Sequence, residues 1–273
     1  MLSCAPHTRV LPKFEFLLSK GASRSDIVIM TNRSPRFLDR SLEDHIIPTY
    51  QLLKGIFISD KATVNSIKRY PALLYESRIV INVNFLLENG VARSNIAYLL
   101  GRSSVPLSSP DIVMGAVEEL KGLGFNPLTS PFSRAFAAKL GVSKSQWDAK
   151  VDAYKKWGWS EEALLEAFRK YPNCMLVSKD KIDAVMGFWV NHLGWDPLTL
   201  LKGPKIFEYS LKNRIIPRAL VLQFLYSKGL RNKKASLVMP FFILEKQFLE
   251  NFVTCFKEHD CQLLKIYEEK KNI

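Results

Sequence analysis

Apolar positions along this chain recur in short helical stripes that end at evenly spaced glycines. The spacing between successive members is 34 to 36 residues, and they are Gly21, Gly55, Gly90, Gly124, Gly158, Gly194 and Gly229. An apolar residue follows each one, and an apolar run precedes most of them. A fixed period of this size predicts that one supersecondary unit is copied along the chain. Because glycine adopts the left-handed backbone conformation at little cost, each of these glycines is predicted to end a helix.

Prolines divide these repeats into two parts. They stand 10 to 16 residues after the preceding glycine, at Pro35, Pro71, Pro106, Pro172 and Pro204. Proline lacks an amide hydrogen and clashes with the preceding turn, so each one predicts a break between a first and a second helix. Residues 160–171 are an example of the first helix of a repeat. Ser160 is placed as its N-terminal cap, and Leu164, Phe168 and Tyr171 form one apolar stripe. Capping boxes are predicted at Ser23 with Asp26 and at Ser145 with Asp148.

A second string repeats after the proline. Residues 41–48 and 210–217 are identical at five of eight positions and share the pattern Ser-Leu-x-x-x-Ile-Ile-Pro. Proline is tolerated in the first turn of a helix, because the amide that it lacks would be unpaired there. Pro48 and Pro217 are therefore predicted to begin the second long helix of their repeats. No proline divides the fourth repeat near Leu140, so its two helices are expected to be fused or straightened.

These patterns predict an all-α fold, a solenoid in which each repeat buries its apolar face on its neighbours. We expect a short non-repeat segment at residues 1–10, repeats over residues 11–235, and capping helices over residues 236–273. The chain has no uninterrupted apolar stretch of eighteen residues, so we expect no membrane partner. We expect the protein to be soluble and monomeric.

Positive charge is concentrated near the end of the repeats. The chain has 39 Lys and Arg against 26 Asp and Glu, a formal net charge of +13. Within residues 202–234, Glu208 is the sole acidic residue, and there are nine basic ones: Lys202, Lys205, Lys212, Arg214, Arg218, Lys228, Arg231, Lys233 and Lys234. Such a cluster on a repeat surface predicts contacts with a phosphate backbone and salt-dependent binding. The alternative is a solvated basic face without a ligand.

Smaller basic pairs recur at one position of the repeat. Lys68 and Arg69 precede a Tyr-Pro dipeptide, and so do Arg169 and Lys170. Cations at the end of a helix are favoured by the helix dipole by about 0.3 to 1 kcal/mol, which explains these pairs without a ligand. Their recurrence along one edge of the stack would equally allow contacts with successive phosphates. Both interpretations remain open from the sequence.

Catalytic and metal-binding motifs are absent from the sequence. It contains no Walker-type loop, dinucleotide fingerprint, His-Glu-x-x-His motif or nucleophile elbow, so we expect neither an enzyme nor a bound cofactor. Cys255, His259 and Cys261 form the best metal-ligand set, but a tetrahedral zinc site requires a fourth ligand. We therefore expect no metal, and we expect the cysteines to stay reduced.

Three segments together carry a family resemblance: residues 11–27, residues 148–172, and residues 210–230 with their Ser-Leu-x-x-x-Ile-Ile-Pro string. On these, the chain resembles plant mitochondrial transcription termination factor (mTERF) family proteins. The resemblance implies a curved solenoid of three-helix repeats, in which a short third helix fills the connector after each proline. It also implies residence in mitochondria or chloroplasts. The implied partner is double-stranded DNA or RNA, in transcription termination or regulation, transcript processing or splicing.

Family members normally begin with a transit peptide and further repeats. Residues 1–9 contain no acidic residue, but they are too few for an amphipathic transit segment. We therefore expect this chain to lack a complete transit peptide.

Two alternatives compete with nucleic-acid binding by an mTERF-type solenoid. Pentatricopeptide repeats have a similar period and bind RNA, but their two-helix units do not accommodate the recurrent proline and the Leu-rich connector. The second alternative is a scaffold that binds a protein partner through residues 241–256, without contacting nucleic acid. There Phe241, Leu244, Phe248 and Phe252 recur at helical spacing, which a terminal cap of the core explains as well.

Overall fold

Helices are the only regular elements in the part of the chain that the structure describes. This computed structural model describes residues 6–101, 108–232, 234–256 and 259–269. They fall into two compact units, Met1–Gly141 and Val142–Ile273. The predicted all-α repeat architecture is confirmed. No helix among the described residues is long and apolar enough to cross a membrane.

The first compact unit is a succession of short helices. A π-helical turn, Pro6–Val10, leads into the first. The α-helices are α1 (Leu11–Ser19), α2 (Arg24–Arg33), α3 (Ile47–Phe57), α4 (Asp60–Arg69), α5 (Ser77–Glu88), α6 (Arg93–Leu100), α7 (Pro110–Gly122) and α8 (Ser130–Gly141).

The second compact unit continues the same alternation. Its α-helices are α9 (Lys144–Lys156), α10 (Glu161–Lys170), α11 (Lys179–Gly187), α12 (Ile216–Ser227), α13 (Glu245–Leu249) and α14 (Asp260–Glu269). Two π-helical turns, Phe188–His192 and Glu250–Thr254, extend α11 and α13. A 3₁₀ helix, Pro197–Lys202, takes the place of the first helix in the repeat that contains α12.

Most of the regularly spaced glycines end a helix, as predicted. Positive φ angles between 66° and 90° occur at Gly21, Gly90, Gly124, Gly158, Gly194 and Gly229. At Gly90 the two amides that close the helix donate backward, Gly90 to the Leu87 carbonyl at 3.0 Å and Val91 to the Leu86 carbonyl at 2.9 Å. This pairing satisfies carbonyls that would otherwise be orphaned at the helix end.

The prediction is wrong at Gly55. This glycine lies inside α3, which continues to Phe57, and the left-handed residue is Ile58, with φ of 70°. Ile58 is 82% exposed, so its side chain contributes little packing in return for the strained backbone.

The interior prolines begin the short third helix of their repeats. The 3₁₀ helices are Pro35–Asp39, Pro71–Leu74, Pro172–Leu176 and Pro204–Glu208, and Met239–Phe241 is a further one with proline in its first turn. Pro106 lies outside the described residues. The short connecting helix implied by the family resemblance is therefore present wherever the structure describes an interior proline.

The repeated Ser-Leu-x-x-x-Ile-Ile-Pro string forms the start of a long helix. The hydroxyls of Ser41 and Ser210 accept backbone amides three residues on, at 3.2 Å and 3.0 Å. One π-helical turn follows each serine, Leu42–Ile46 and Leu211–Ile215. The prolines of the two strings then fall in the first turn of α3 and α12, as predicted.

The fourth repeat is divided without a proline, so the expectation of fused helices is wrong. Helix α8 ends at Gly141, and α9 begins at Lys144 behind a capping box of Ser143 and Gln146. That box replaces the one predicted at Ser145 and Asp148, whereas the predicted box of Ser23 and Asp26 is confirmed. A serine cap two residues after Gly141 separates the two helices here.

The end of the chain packs on α12. Its apolar cluster joins Val221 and Leu225 of α12 to buried residues of the following segments, Phe248, Val253, Leu263 and Tyr267. The Met239–Phe241 turn and the helical segment after it reproduce the second half of a repeat. The proposed boundary between repeats and cap at residue 235 stays a prediction.

Candidate nucleic-acid interface

Arg218 points into the protein interior. It is 1% exposed, and its Nη1 donates to the Pro240 carbonyl at 2.7 Å and to the Ile243 carbonyl at 2.9 Å. Its guanidinium lies 4.6 Å from the centre of the Phe248 ring. Burial, together with the neighbouring Arg214 charge, lowers the pKa of Arg218. This burial disfavours Arg218 as a phosphate contact, because its Nη1 donates to backbone carbonyls out of reach of solvent.

Arg214 binds the same C-terminal segment. Its Nε donates to the Phe241 carbonyl at 2.9 Å and its Nη2 to the Ile243 carbonyl at 2.8 Å. The guanidinium also stacks 4.1 Å from the centre of the Tyr209 ring. Two donors of Arg214 and one face of its guanidinium are thus engaged in structure, which disfavours it as a phosphate contact.

Arg231 completes this set of structural arginines. Its Nε donates to the Tyr226 hydroxyl at 3.0 Å, and its Nη2 donates to the Ser236 carbonyl at 2.8 Å. The guanidinium lies 4.9 Å from the Phe252 ring centre. Arg214, Arg218 and Arg231 together hold the backbone between residues 236 and 243. A guanidinium suits this work, because it presents several donors in a fixed plane.

Five lysines of the predicted cluster remain available at the surface. They are Lys202, Lys205, Lys212, Lys228 and Lys234, and all are exposed. Within the described part of the chain, none of these five forms an ion pair. The ninth basic residue of the cluster, Lys233, lies outside the described residues. Glu208, the acidic residue of the cluster, instead accepts hydrogen bonds from Tyr171 and Asn173.

The exposed lysines are distributed around α12. Lys212 is in the π-helical turn before α12, and Lys228 follows its last residue. The helical segment between them, residues 211–227, is about 25 Å long at 1.5 Å per residue. Lys205 lies in the proline turn ahead of this segment, with its Nζ 5.9 Å from the Tyr209 ring centre. The cluster thus covers both ends of the helix.

A groove brings two of the lysines together. Lys202 and Lys234 both line an opening of about 780 Å³, together with Trp195, Thr199, Tyr226 and the backbone segment 235–238. Lys202 comes from the end of the 3₁₀ helix Pro197–Lys202, and Lys234 comes from the turn after α12. The sequence did not predict that Lys202 and Lys234 line the same groove, because they belong to different repeats.

In each of the smaller basic pairs, the lysine forms an ion pair with an acidic side chain of the protein. Lys68 Nζ binds the Asp26 carboxylate at 2.8 Å, and this bond, with those from Ser23, lowers the pKa of Asp26 to about 2. Lys170 Nζ binds the Glu166 carboxylate at 2.6 Å and the Leu201 carbonyl at 3.2 Å.

Both arginines of these pairs are exposed. Arg69 lines a pocket of about 290 Å³ beside Arg33, whose Nη1 donates to the Lys68 carbonyl at 2.8 Å. Arg169 is exposed in the last turn of α10. Arg69 and Arg169 stay candidates for phosphate contact, whereas the ion pairs of Lys68 and Lys170 give these two lysines a structural role beside the helix-dipole one.

Basic side chains recurrently bind the backbone of a later repeat, an arrangement that the sequence did not predict. Lys13 donates to the Leu38 carbonyl, and Lys150 to the Met175 carbonyl at 2.8 Å; both carbonyls belong to proline turns 25 residues on. Lys181 donates to the Glu208 carbonyl at 3.0 Å in the same way. A basic residue in a helix about 25 residues before a proline turn is the sequence signal that could have identified these bonds.

Most of the aromatic side chains of the proposed protein-docking surface, residues 241–256, are buried in the core or packed against it. Phe241 and Phe248 are fully buried, and Phe252 stacks on Phe248 with ring centres 5.0 Å apart. Leu244 is the exposed member of the predicted stripe. The geometry therefore favours a cap over a docking face.

The side chains of Cys174, Cys255 and His259 are buried or contact other protein groups. Among the described residues, no group of three His, Cys, Asp or Glu is arranged to hold a metal ion. The Cys255 thiol donates to the Asn251 carbonyl at 3.0 Å, and the His259 ring packs on Phe224. Burial raises the pKa of the Cys174 thiol to about 12, which keeps it protonated at neutral pH.

Comparison with known proteins gives one family and two relatives. The family model described as mTERF matches residues 1–184 and 133–249. "Transcription termination factor 1, mitochondrial" of Homo sapiens and its counterpart of Pongo abelii are each 32% identical to this chain over 116 residues. That stretch is 41% of this chain and 29% of either relative, so the match spans less than a third of the relatives' length.

Proposed function

The chain belongs to the mTERF family, and from this premise we propose that it binds nucleic acid inside an organelle and regulates transcription there. The observation that carries the proposal is the set of five exposed lysines around α12, which have no acidic partner among the described residues. Lysines in such a position attract a phosphate backbone and release its counterions on binding. Contacts of this kind position the protein without selecting a sequence.

We place the protein in the mitochondrion, because both relatives carry that location in their names. A chloroplast location and membership of the plant branch of the family stay predictions from the sequence resemblance. Transcription termination is the first role to test, again from the relatives' name, with transcript processing and splicing as the further roles. The proposal requires no catalytic step and no cofactor.

Salt dependence tests the assignment of the lysines. We expect the double variant Lys205→Gln, Lys212→Gln to bind a duplex more weakly than the wild type. Its slope of log affinity against log salt concentration should be shallower by about 0.9 for each lost contact on duplex DNA and about 0.7 on a single strand. Fluorescence anisotropy between 50 and 200 mM salt measures both affinity and slope, the range over which such losses are large.

A matched control removes the same charge from elsewhere in the second compact unit. Lys144 and Lys179 are exposed first residues of α9 and α11, and they lie outside the cluster. The variant Lys144→Gln, Lys179→Gln should keep the slope of the wild type. Equal slopes for the two double variants would remove the lysine assignment, and no measurable binding by the wild type at 50 mM salt would remove the proposed function.

A further inference from the structure

The groove beside α12 combines aromatic and cationic side chains. Trp195 and Tyr226 are half-buried in its wall, and Lys202 and Lys234 are exposed at its edge. None of the described residues that line it is acidic. Its volume of about 780 Å³ is within the range of about 300 to 1,000 Å³ usual for small-ligand pockets. Planar rings beside positive charge match the two halves of a nucleotide, a base and a phosphate.

Both rings are held by contacts with residues that do not line the groove, Trp189 and Arg231. Trp195 packs edge-to-face on the buried Trp189, with ring centres 4.8 Å apart. The Tyr226 hydroxyl accepts a hydrogen bond from Arg231 at 3.0 Å. A ring that is already immobilised loses little conformational entropy when a base stacks on it.

Arg231 also fixes the opposite wall. The same guanidinium donates to the carbonyl of Ser236, a residue of the segment that carries Lys234 and lines the groove. Arg214 and Arg218 hold the continuation of that segment through the carbonyls of residues 240, 241 and 243. The arginines of the basic cluster thus hold the wall of the groove in place, while the lysines Lys202 and Lys234 are exposed and available to a ligand.

We propose that this groove binds an unpaired nucleotide of a single-stranded nucleic acid, with the base against Trp195 and Tyr226 and its phosphate at Lys202 and Lys234. The inference rests on the proposed function and deepens it, because it names the form of nucleic acid that one site selects. A base inside a duplex has its faces covered by its neighbours and must be extruded, at a cost of roughly a few kcal/mol, before it can stack on a protein ring. A base of a single strand stacks without that cost, so the groove favours a single strand. Arg231 is a positioning residue for the site.

The test compares single-stranded and duplex ligands on the full chain. Fluorescence anisotropy is measured with a labelled 15-nucleotide oligo(dT) or oligo(U) and with a 15-base-pair duplex at the same salt concentration. Trp195→Ala should weaken single-strand binding about tenfold, the usual scale for loss of one stacked base. Duplex affinity should stay within about twofold, and the salt slope should not change, because no phosphate contact is removed. Trp195→Phe should restore most of the single-strand affinity.

Leu198→Ala is the matched control. Leu198 belongs to the same 3₁₀ helix as Lys202 and is 45% exposed, but it does not line the groove. This variant should bind both ligands as the wild type does. Since Trp195→Ala also removes packing on Trp189, its thermal unfolding is measured first. Photocrosslinking of the wild type to an oligonucleotide containing 5-iodouracil, with mapping of the modified peptide, is independent of any variant, and we expect the crosslink at Trp195 or Tyr226.

The outcomes separate this inference from the proposed function. If the wild type binds both ligands and a folded Trp195→Ala variant keeps its single-strand affinity, the groove is not the site, while the proposed function stands. A crosslink outside the groove has the same meaning. Thymidine or uridine monophosphate that competes as effectively as the strand would identify a free nucleotide as the ligand and overturn the single-strand assignment. A wild type that binds neither nucleic acid contradicts the proposed function itself.

Discussion

Gly55 and Gly90 hold equivalent places in the repeat but have different backbone conformations. Gly90 follows a helix with φ of +75°, whereas Gly55 lies inside α3, and a Cβ at either position would meet nothing within 4 Å. We expect Gly90→Ala to destabilise the protein by about 1 kcal/mol, the cost of placing a side chain in the left-handed region. Gly55→Ala should stabilise it by about 1 kcal/mol, because alanine is the better helix former. Urea unfolding of the two variants measures both effects, and shifts of the same sign would contradict the assignment.

Asp26 ties a helix start to the next repeat. Its carboxylate accepts the Ser23 amide at 3.0 Å and binds Lys68 at 2.8 Å. The Lys68 bond is the main cause of its lowered pKa, about 2 against an ordinary value of 3.8. Because the folded-state pKa is the lower one, the carboxylate stabilises the fold above about pH 4, and this contribution is lost as the pH falls towards 2.

Asp26→Asn should therefore lower the free energy of unfolding at pH 7 by about 1 kcal/mol, the usual scale for loss of such a helix-start contact. The difference from the wild type should shrink between pH 4 and pH 2. Asp180→Asn is the control, since Asp180 is an exposed acid in the first turn of α11. Thermal unfolding across this pH range is the measurement. A gap between wild type and Asp26→Asn that stays constant down to pH 2 would show that the Lys68 bond is not the stabilising contact.

At the scale of elements, Arg218 joins α12 to the turn of the last half-repeat. Removing its guanidinium leaves the carbonyls of residues 240 and 243 without these donors inside the protein. We expect Arg218→Ala to cost about 3 kcal/mol of stability, because the Pro240 carbonyl loses its donor and a cavity forms beside Phe248, while the Ile243 carbonyl keeps its bond from Arg214. Arg218→Lys should also destabilise, because a single ammonium does not reproduce the planar fork.

Lys212→Ala provides the contrast on the neighbouring turn. Lys212 is exposed, so its replacement should change stability by less than about 0.5 kcal/mol while it weakens nucleic-acid binding. Chemical denaturation and a salt titration distinguish the two residues. If Arg218→Ala kept the stability of the wild type and had a shallower slope of log affinity against log salt concentration, Arg218 would be a nucleic-acid contact.

The elements were predictable where the chemistry is local. A glycine that closes a helix, a proline that opens a turn and a serine that caps the next helix act within a few residues, and α2, α10 and α12 follow their signals. The roles of the basic residues were not predictable in the same way. Arg218 and Lys212 are both cations of one segment, but they have different roles. Arg218 is bound to a turn more than 20 residues away, whereas Lys212 is exposed. The groove depends on the same distant contacts, since its walls come from two repeats.

At the scale of the whole molecule, both compact units carry more basic than acidic residues. The exposed lysines around α12 differ from other exposed lysines of the second compact unit, such as Lys155 and Lys170, because they form no ion pair with a described residue. Dispersed charge raises the rate of encounter with a polyanion, whereas contacts in the bound state govern dissociation. Replacing Arg36 and Lys61 of the first compact unit, both exposed, with Gln should therefore lower the association rate constant and leave the dissociation rate constant nearly unchanged. Replacing Lys205 and Lys212 should raise the dissociation rate constant.

Stopped-flow fluorescence with a labelled oligonucleotide at several salt concentrations separates the two rate constants. The association effect should fade as salt rises, because the Debye length shrinks from about 10 Å at 0.1 M to about 3 Å at 1 M. The dissociation effect should persist, because it comes from contacts that are already formed. If both double variants raised the dissociation rate constant equally, the bound nucleic acid would also contact residues of the first compact unit, and the interface would extend beyond the lysines around α12.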